Sequence, residues 1–244
     1  MKQTEAVLHT IERLGSIATL GQLYQEVFKE KDCAWGTKTP FASIRRIVQL
    51  HKEIYKIKPG LYGLLSKKSE HELLGITETE KNKDSAEVKN FGHTYHQALL
   101  LIIGKLRRFD CWSPNQDKNK SALNSTLGAL RTLQELPTFS YENLVKRSAT
   151  VDVIWFNEHK MPGSFFEVEH GTDMQNSLLK LNDLRDFHAR MVIVSDGKRR
   201  GEFDTKLKFD AFRDIADRMD FLSYDRLAKN YEYEVEASNS DFRL

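Results

Sequence analysis

Glu167 and Glu169 stand two residues apart in Phe165-Phe166-Glu167-Val168-Glu169-His170, and Asp152 lies upstream in Thr150-Val151-Asp152-Val153-Ile154-Trp155-Phe156. Alternate side chains of an extended strand share a face, so the two glutamates point one way while Phe166 and Val168 point into the core. A turn through Met161-Pro162-Gly163 that folds the two segments into a hairpin would bring Asp152 to them. Three carboxylates so gathered form an oxygen cage for a hard divalent cation such as Mg²⁺, with Mn²⁺ as a substitute, and the chemistry they support is phosphodiester hydrolysis. An ordinary solvent-facing strand edge is the alternative. Phe165 and Phe166 argue for a buried strand, where paired carboxylates without a cation are penalised.

The scaffold for these acids is a chain of 244 residues, 40% of them hydrophobic, enough for a proper core and, by our division, two domains. No apolar run reaches membrane-spanning length, and Met1-Lys2-Gln3-Thr4 lacks a secretory apolar core, so a cytoplasmic protein is expected. Cys33 and Cys111 match no zinc-ligand spacing and are expected to be reduced and structural. The formal net charge of +2 is too small to name a partner. Its distribution says more, because Lys38, Arg45, Arg46, Lys52, Lys56 and Lys58 cluster against the lone acid Glu53, a concentration suited to phosphate contacts.

That basic stretch has a shape of its own. Apolar residues at helical spacing predict helices over Glu5–Leu14 and Leu20–Phe28, and Thr39-Pro40 opens a third, with Thr39 as N-cap and Pro40 at the first helical position. Ile54–Lys58 and Leu61–Leu65 read as strands joined at Pro59-Gly60. Three helices followed by a hairpin compose a winged helix. Lys38-Thr39-Pro40-Phe41-Ala42-Ser43-Ile44-Arg45-Arg46 with Ile57-Lys58-Pro59-Gly60-Leu61-Tyr62-Gly63-Leu64 resembles the winged domains of the HARE-HTH type. The resemblance implies nucleic-acid binding, with the helix from Pro40 to Leu50 as reader, the hairpin as wing, and Ser43, Arg45, Arg46 and Gln49 as contacts. A protein-docking module is the alternative. The domain is placed at 1–65, and the Lys-, Glu-, Ser- and Asn-rich stretch 66–90 is expected as a polar linker with room for one short helix.

From residue 91 the pattern alternates. His93–Phe109 predicts a buried helix around Ala98-Leu99-Leu100-Leu101-Ile102-Ile103, and 121–136 irregular or helical chain. The two acidic strands follow, then a helix over Ser177–His188, a strand at Met191–Val194, a helical region over Lys206–Met219 and a short strand near Phe221–Tyr224. This is an α/β plan. Val151-Asp152-Val153-Ile154-Trp155, Phe166-Glu167-Val168-Glu169-His170 and Leu178-Leu179-Lys180-Leu181-Asn182-Asp183-Leu184 together resemble the PD-(D/E)xK restriction-endonuclease-like superfamily, and within it bacterial restriction-endonuclease-related proteins.

The resemblance implies a restriction-endonuclease-like mixed sheet flanked by helices over 91–244, and a Mg²⁺-dependent endonuclease acting on double-stranded DNA. It makes Asp152 and Glu167 metal ligands and sets Glu169 where the family usually has lysine. Glu169 then becomes a further metal-site acceptor, or the group that positions or deprotonates the attacking water. Val151 stands where the motif has proline. Gln175 and His170 are accessory candidates. Lys180 is expected as a surface lysine among leucines, with a role in supplying the missing positive charge as the alternative, and His93, His96 and Gln97 open a helix from which polar groups could reach the site. Cutting both strands needs two centres, hence an expected homodimer. The alternatives are a non-catalytic DNA-binding regulator using a degenerate nuclease fold for dimerisation, and a nuclease of RNA or single strands.

Overall fold

The computed structural model describes residues 1–171 and 174–240, so positions 172–173 and 241–244 of the segment expected over 91–244 lie outside it. The chain divides into two compact units, Met1–Phe91 with the chain from Ala228 onward, and Gly92–Leu227.

In the first unit α1 (Gln3–Arg13), β1 (Ile17–Thr19) and α2 (Leu20–Glu26) follow in order. Thr19 caps α2 reciprocally: its Oγ1 accepts from the Gln22 N–H at 3.0 Å while Gln22 Oε1 accepts from the Thr19 N–H at 3.0 Å. Pro40 opens α3 (Pro40–Leu50), where its missing N–H costs nothing, and Thr39 fills the N-cap position without a side-chain bond. β2 (Ile54–Lys58) and β3 (Leu61–Leu64) pair antiparallel across Pro59-Gly60. Gly60 has φ +73°, a left-handed conformation that glycine adopts freely. The short β1, too brief to read from periodicity, adds to the far side of β3 and completes a three-stranded sheet in the order β1-β3-β2.

Beyond it, α4 (Lys68–Leu73) leads a stretch held by polar bonds more than by apolar burial. His71 is buried, with Nε2 2.8 Å from Ser16 Oγ and Nδ1 2.7 Å from Tyr55 OH. The Asn82 amide donates to Glu72 O and Thr77 O.

The second unit is built on a mixed sheet. α5 (Ala86–Leu106) leads into β4 (Asp110–Trp112), and the region expected as irregular or helical resolves into a two-residue-armed hairpin of β5 (Ser121–Ala122) and β6 (Ser125–Thr126) before α6 (Leu127–Leu130). Then come α7 (Glu142–Ser148), β7 (Val153–Phe156), β8 (Pro162–Glu169), α8 (Met174–Asn182), β9 (Arg190–Ser195), α9 (Arg200–Lys206), β10 (Met219–Ser223) and the start of α10 (Tyr224–Ser240), whose residues from Ala228 onward belong to the first unit. The five strands lie in the order β10-β9-β8-β7-β4. β8 runs parallel to β9 and antiparallel to β7, so the acidic strand is central and its hairpin turn falls between Phe156 and Pro162.

Both faces of β8 are covered. Ile154, Phe156, Phe165, Met191 and Ile193 join Met174, Leu178, Leu181, Leu184 and Phe187 in one core. On the other face Trp155 Nε1 donates to Leu100 O of α5 at 3.1 Å. Gly104 permits that approach, since a Cβ there would collide with Cys111 Sγ and Trp155 Nε1. Cys111 is buried and unbridged, and burial pushes its thiol up to about 12.

One expectation needs correction. The helical region over Lys206–Met219 is instead a pair of short 3₁₀ turns, Asp210–Phe212 and Ala216–Arg218, after α9. α9 ends at Lys206, Phe209 adopts an extended backbone ahead of the first of these turns, and Phe212 and Ile215 are buried from separate turns. The solvent-facing alternative for the acidic strand does not hold: with α8 packed on its side of the sheet, Glu167 is 2% exposed. Among the described residues no helix is long and apolar enough to cross a membrane.

Candidate active site

The β7–β8 register sets Val153 opposite Phe166, which brings Asp152, one residue before β7, level with Glu167. Asp152 is fastened by the backbone: the Val168 N–H donates to its Oδ2 at 2.7 Å. Its Oδ1 lies 3.1 Å from His93 Nε2. Gln97, one helical turn after His93 on α5, donates from Nε2 to Asp117 Oδ2 at 3.2 Å and to Asp152 O at 3.4 Å. Asp117 is itself buried and paired with Lys120 Nζ at 2.7 Å.

α8 supplies the other side of the site. Ser177 and Lys180, at i and i+3, share the helix face turned to β8. Lys180 Nζ donates to Glu167 Oε2 at 2.7 Å and to Thr150 O at 3.0 Å. Lys180 is therefore not a surface lysine, its side chain being 22% exposed, because the helix lies across the acidic face. The Ser177 hydroxyl bridges the two glutamates, reaching Glu167 Oε2 at 3.4 Å and donating to Glu169 Oε1. Arg199 Nη1 stands 3.7 Å from Glu169 Oε2.

Burial dominates the electrostatics. It pushes the Glu167 carboxyl well above the usual carboxylate range, the neighbouring Asp152 charge adds to the rise, and Lys180 works against it. Asp152 is also raised by burial, opposed by His93 and by the Val168 N–H. Glu169 is raised by burial against its bond from Ser177 and the charge of Arg199.

Glu167 Oε1 is buried with no hydrogen-bond partner among the described residues. Among those residues, no three His, Cys, Asp or Glu side chains are grouped as a cation site. The donor set on offer is the pair Asp152 and Glu167, one oxygen of Glu167 being without a hydrogen bond among the described residues. That pair fits Mg²⁺, which is commonly held by one or two carboxylates and completed by water and phosphate oxygens.

The remaining candidates are dispersed. His170 Nδ1 lies 2.9 Å from Tyr224 OH, which also donates to Glu169 O at 2.7 Å, and His96 stacks on Tyr224 with ring centroids 3.7 Å apart. Gln175 is exposed on the first turn of α8. Sequence reasoning missed Ser177, whose spacing from Lys180 was the available signal, and missed Asp117, Arg199 and Tyr224, which no periodicity marks.

In the first unit Lys38, Arg46, Gln49 and Lys56 are exposed, whereas Ser43, Arg45 and Lys58 are half-buried. Arg45 donates from Nη2 to Glu236 Oε2 at 3.1 Å. Burial pulls the Lys58 ammonium below its ordinary pKa, which weakens it as a phosphate ligand.

Comparison with known proteins places these residues in a wider setting. The family model described as the type II restriction enzyme NmeDI C-terminal domain matches residues 74–238. The type II restriction enzyme NmeDI of Neisseria meningitidis serogroup C is 24% identical over 133 residues, 50% of this chain and 38% of that protein. The match thus spans well under half of the relative's own length. No solved structure matches.

Proposed function

Because this chain belongs to the family described as the type II restriction enzyme NmeDI C-terminal domain, we propose that it is a divalent-metal-dependent DNA endonuclease of the restriction type. Residues 91–244 carry a PD-(D/E)xK-like nuclease centre, and residues 1–65 form a HARE-HTH-like winged helix that reads duplex sequence or modification, joined through 66–90. The observation that carries this reading is the level placement of Asp152 and Glu167 at the end of the β7–β8 hairpin, both buried, with Glu167 Oε1 unpartnered among the described residues. A buried acid pair is costly unless something positive enters.

Asp152 and Glu167 would hold the cation, which when bound would supply Lewis acidity to the scissile phosphate and acidify a water. Glu169, oriented by Ser177 and Arg199, is the group that positions or deprotonates the attacking water. Exposed Lys38, Arg46, Gln49 and Lys56 contact the duplex from the first unit. A homodimer supplies the second centre needed to cut both strands.

The test is incubation of the purified protein with duplexes of varied sequence and methylation in Mg²⁺ or Mn²⁺. Cleavage by the parent and none by Glu167→Ala is the expected result; a parent that cuts nothing, or a variant that cuts equally well, defeats the proposal. The second reading, a non-catalytic DNA-binding regulator, draws support from Lys180, which already neutralises Glu167. A parent that takes up no Mn²⁺ in calorimetric titration would favour it.

A further inference from the structure

Glu169 stands where the resembling superfamily usually has lysine, and its carboxylate is engaged by Ser177 and Arg199. A cation nevertheless sits in the site, contributed by a different element. Resting on the nuclease reading above, we infer that Lys180 of α8 is a catalytic residue, the cationic donor that contacts the reacting phosphate or the attacking water.

The geometry supports this in three ways. Lys180 Nζ is 2.7 Å from Glu167 Oε2, so it lies within one hydrogen bond of the carboxylate proposed to hold metal. The side chain of Lys180 is 22% exposed while that of Glu167 is 3% exposed, so of the two partners the lysine is the one that retains solvent access. An ammonium has three N–H donors. Glu167 Oε2 and Thr150 O take two of them, and no acceptor among the described residues takes the third, which is open to an incoming oxygen.

Thr150 O also bears on the assignment. A lysine needed only to balance Glu167 could swing with it, but the second bond, to a main-chain carbonyl just upstream of Asp152, holds Nζ at a fixed place beside both acids. Such preorganisation favours charge that develops during reaction. In hydrolysis the water oxygen bonds to phosphorus, the bond to one bridging oxygen breaks, and the two water protons are shared between the leaving oxygen and the new phosphate monoester. Lys180 keeps its own proton throughout and acts by hydrogen-bond donation.

The experiment compares parent, Lys180→Met and Lys180→Gln in single-turnover cleavage of a duplex at saturating Mg²⁺. Duplex affinity is measured without metal, and thermal melting identifies the variants that fold. Glutamine retains donors for Glu167 and Thr150, so it keeps a folded variant available if methionine does not. The expected result is a fall of about 100-fold in the cleavage rate constant with duplex affinity unchanged, as for loss of one preorganised donor. A folded variant cutting within about threefold of the parent overturns the assignment, because a purely structural ion pair shows itself in melting and not in rate. A parent that cuts no duplex defeats the nuclease reading and this inference with it. A cutting parent with an equally fast Lys180→Gln defeats this inference alone.

Discussion

The backbone N–H of Val168 donates to Asp152 Oδ2 at 2.7 Å, so the residue between the two glutamates anchors the third acid. The donor is main chain and independent of the side chain at 168. It fixes the carboxylate with Oδ1 beside His93 Nε2.

Asp152→Asn follows from this bond. Asparagine keeps an oxygen for the Val168 N–H but removes the charge. Cleavage should fall by at least about 100-fold, and the heat of Mn²⁺ binding should be lost. The melting temperature should hold or rise, because a buried charge has been removed. An Asp152→Asn protein that still cuts and binds metal would show that the cation is held elsewhere.

Gln97 ties Asp117 to the main chain at Asp152. Replacing it with leucine leaves both acceptors without that donor while keeping the bulk. Mn²⁺ affinity, read by calorimetry, should weaken by about 10–100-fold, the usual consequence of losing a group that orients a ligand. Unchanged affinity would reduce Gln97 to a packing residue.

Arg45 and Arg46 are adjacent on α3 but should differ in duplex binding. Arg45 is paired with Glu236, whereas Arg46 is exposed. Arg46→Ala should weaken binding and lower the salt-dependence slope by about 1, and Arg45→Ala should leave that slope near the parent value. Glu236→Gln should tighten binding by freeing Arg45. Fluorescence anisotropy across a KCl series measures all three, and equal effects at 45 and 46 would contradict the assignment.

Burial raises the Glu232 carboxyl, with Arg45, Lys229 and Lys56 opposing the rise. A raised folded-state value means that stability is greatest below the ordinary carboxylate pKa and is lost as pH climbs through the raised one. Glu232→Gln mimics the protonated form. It should match the parent in acid and exceed it at neutral pH in urea unfolding, and a parent curve that rises with pH across that window would reverse the sign.

Much of the layout was legible without coordinates. The helices and hairpin of the first unit followed from apolar spacing, Pro40 and Pro59-Gly60, since these act within a few residues. The helix of 224–240 was not read at all. Its apolar positions alternate with acids in Tyr231-Glu232-Tyr233-Glu234-Val235-Glu236, a strand-like pattern overridden by packing, as where Tyr231 lies against Gly21 and its OH is 3.1 Å from Thr19 Oγ1.

For the site, the sequence by itself determined that Glu167 and Glu169 share a strand face and that a hairpin brings Asp152 to them, because strand periodicity and antiparallel register are local rules. Only the tertiary structure decided which groups meet those acids. His93 and Gln97 come from α5 and Ser177 and Lys180 from α8, on opposite sides of the acid pair. Whether a lysine among leucines faces water or a buried carboxylate depends on how its helix lies across the sheet, a long-range packing outcome that no local spacing encodes.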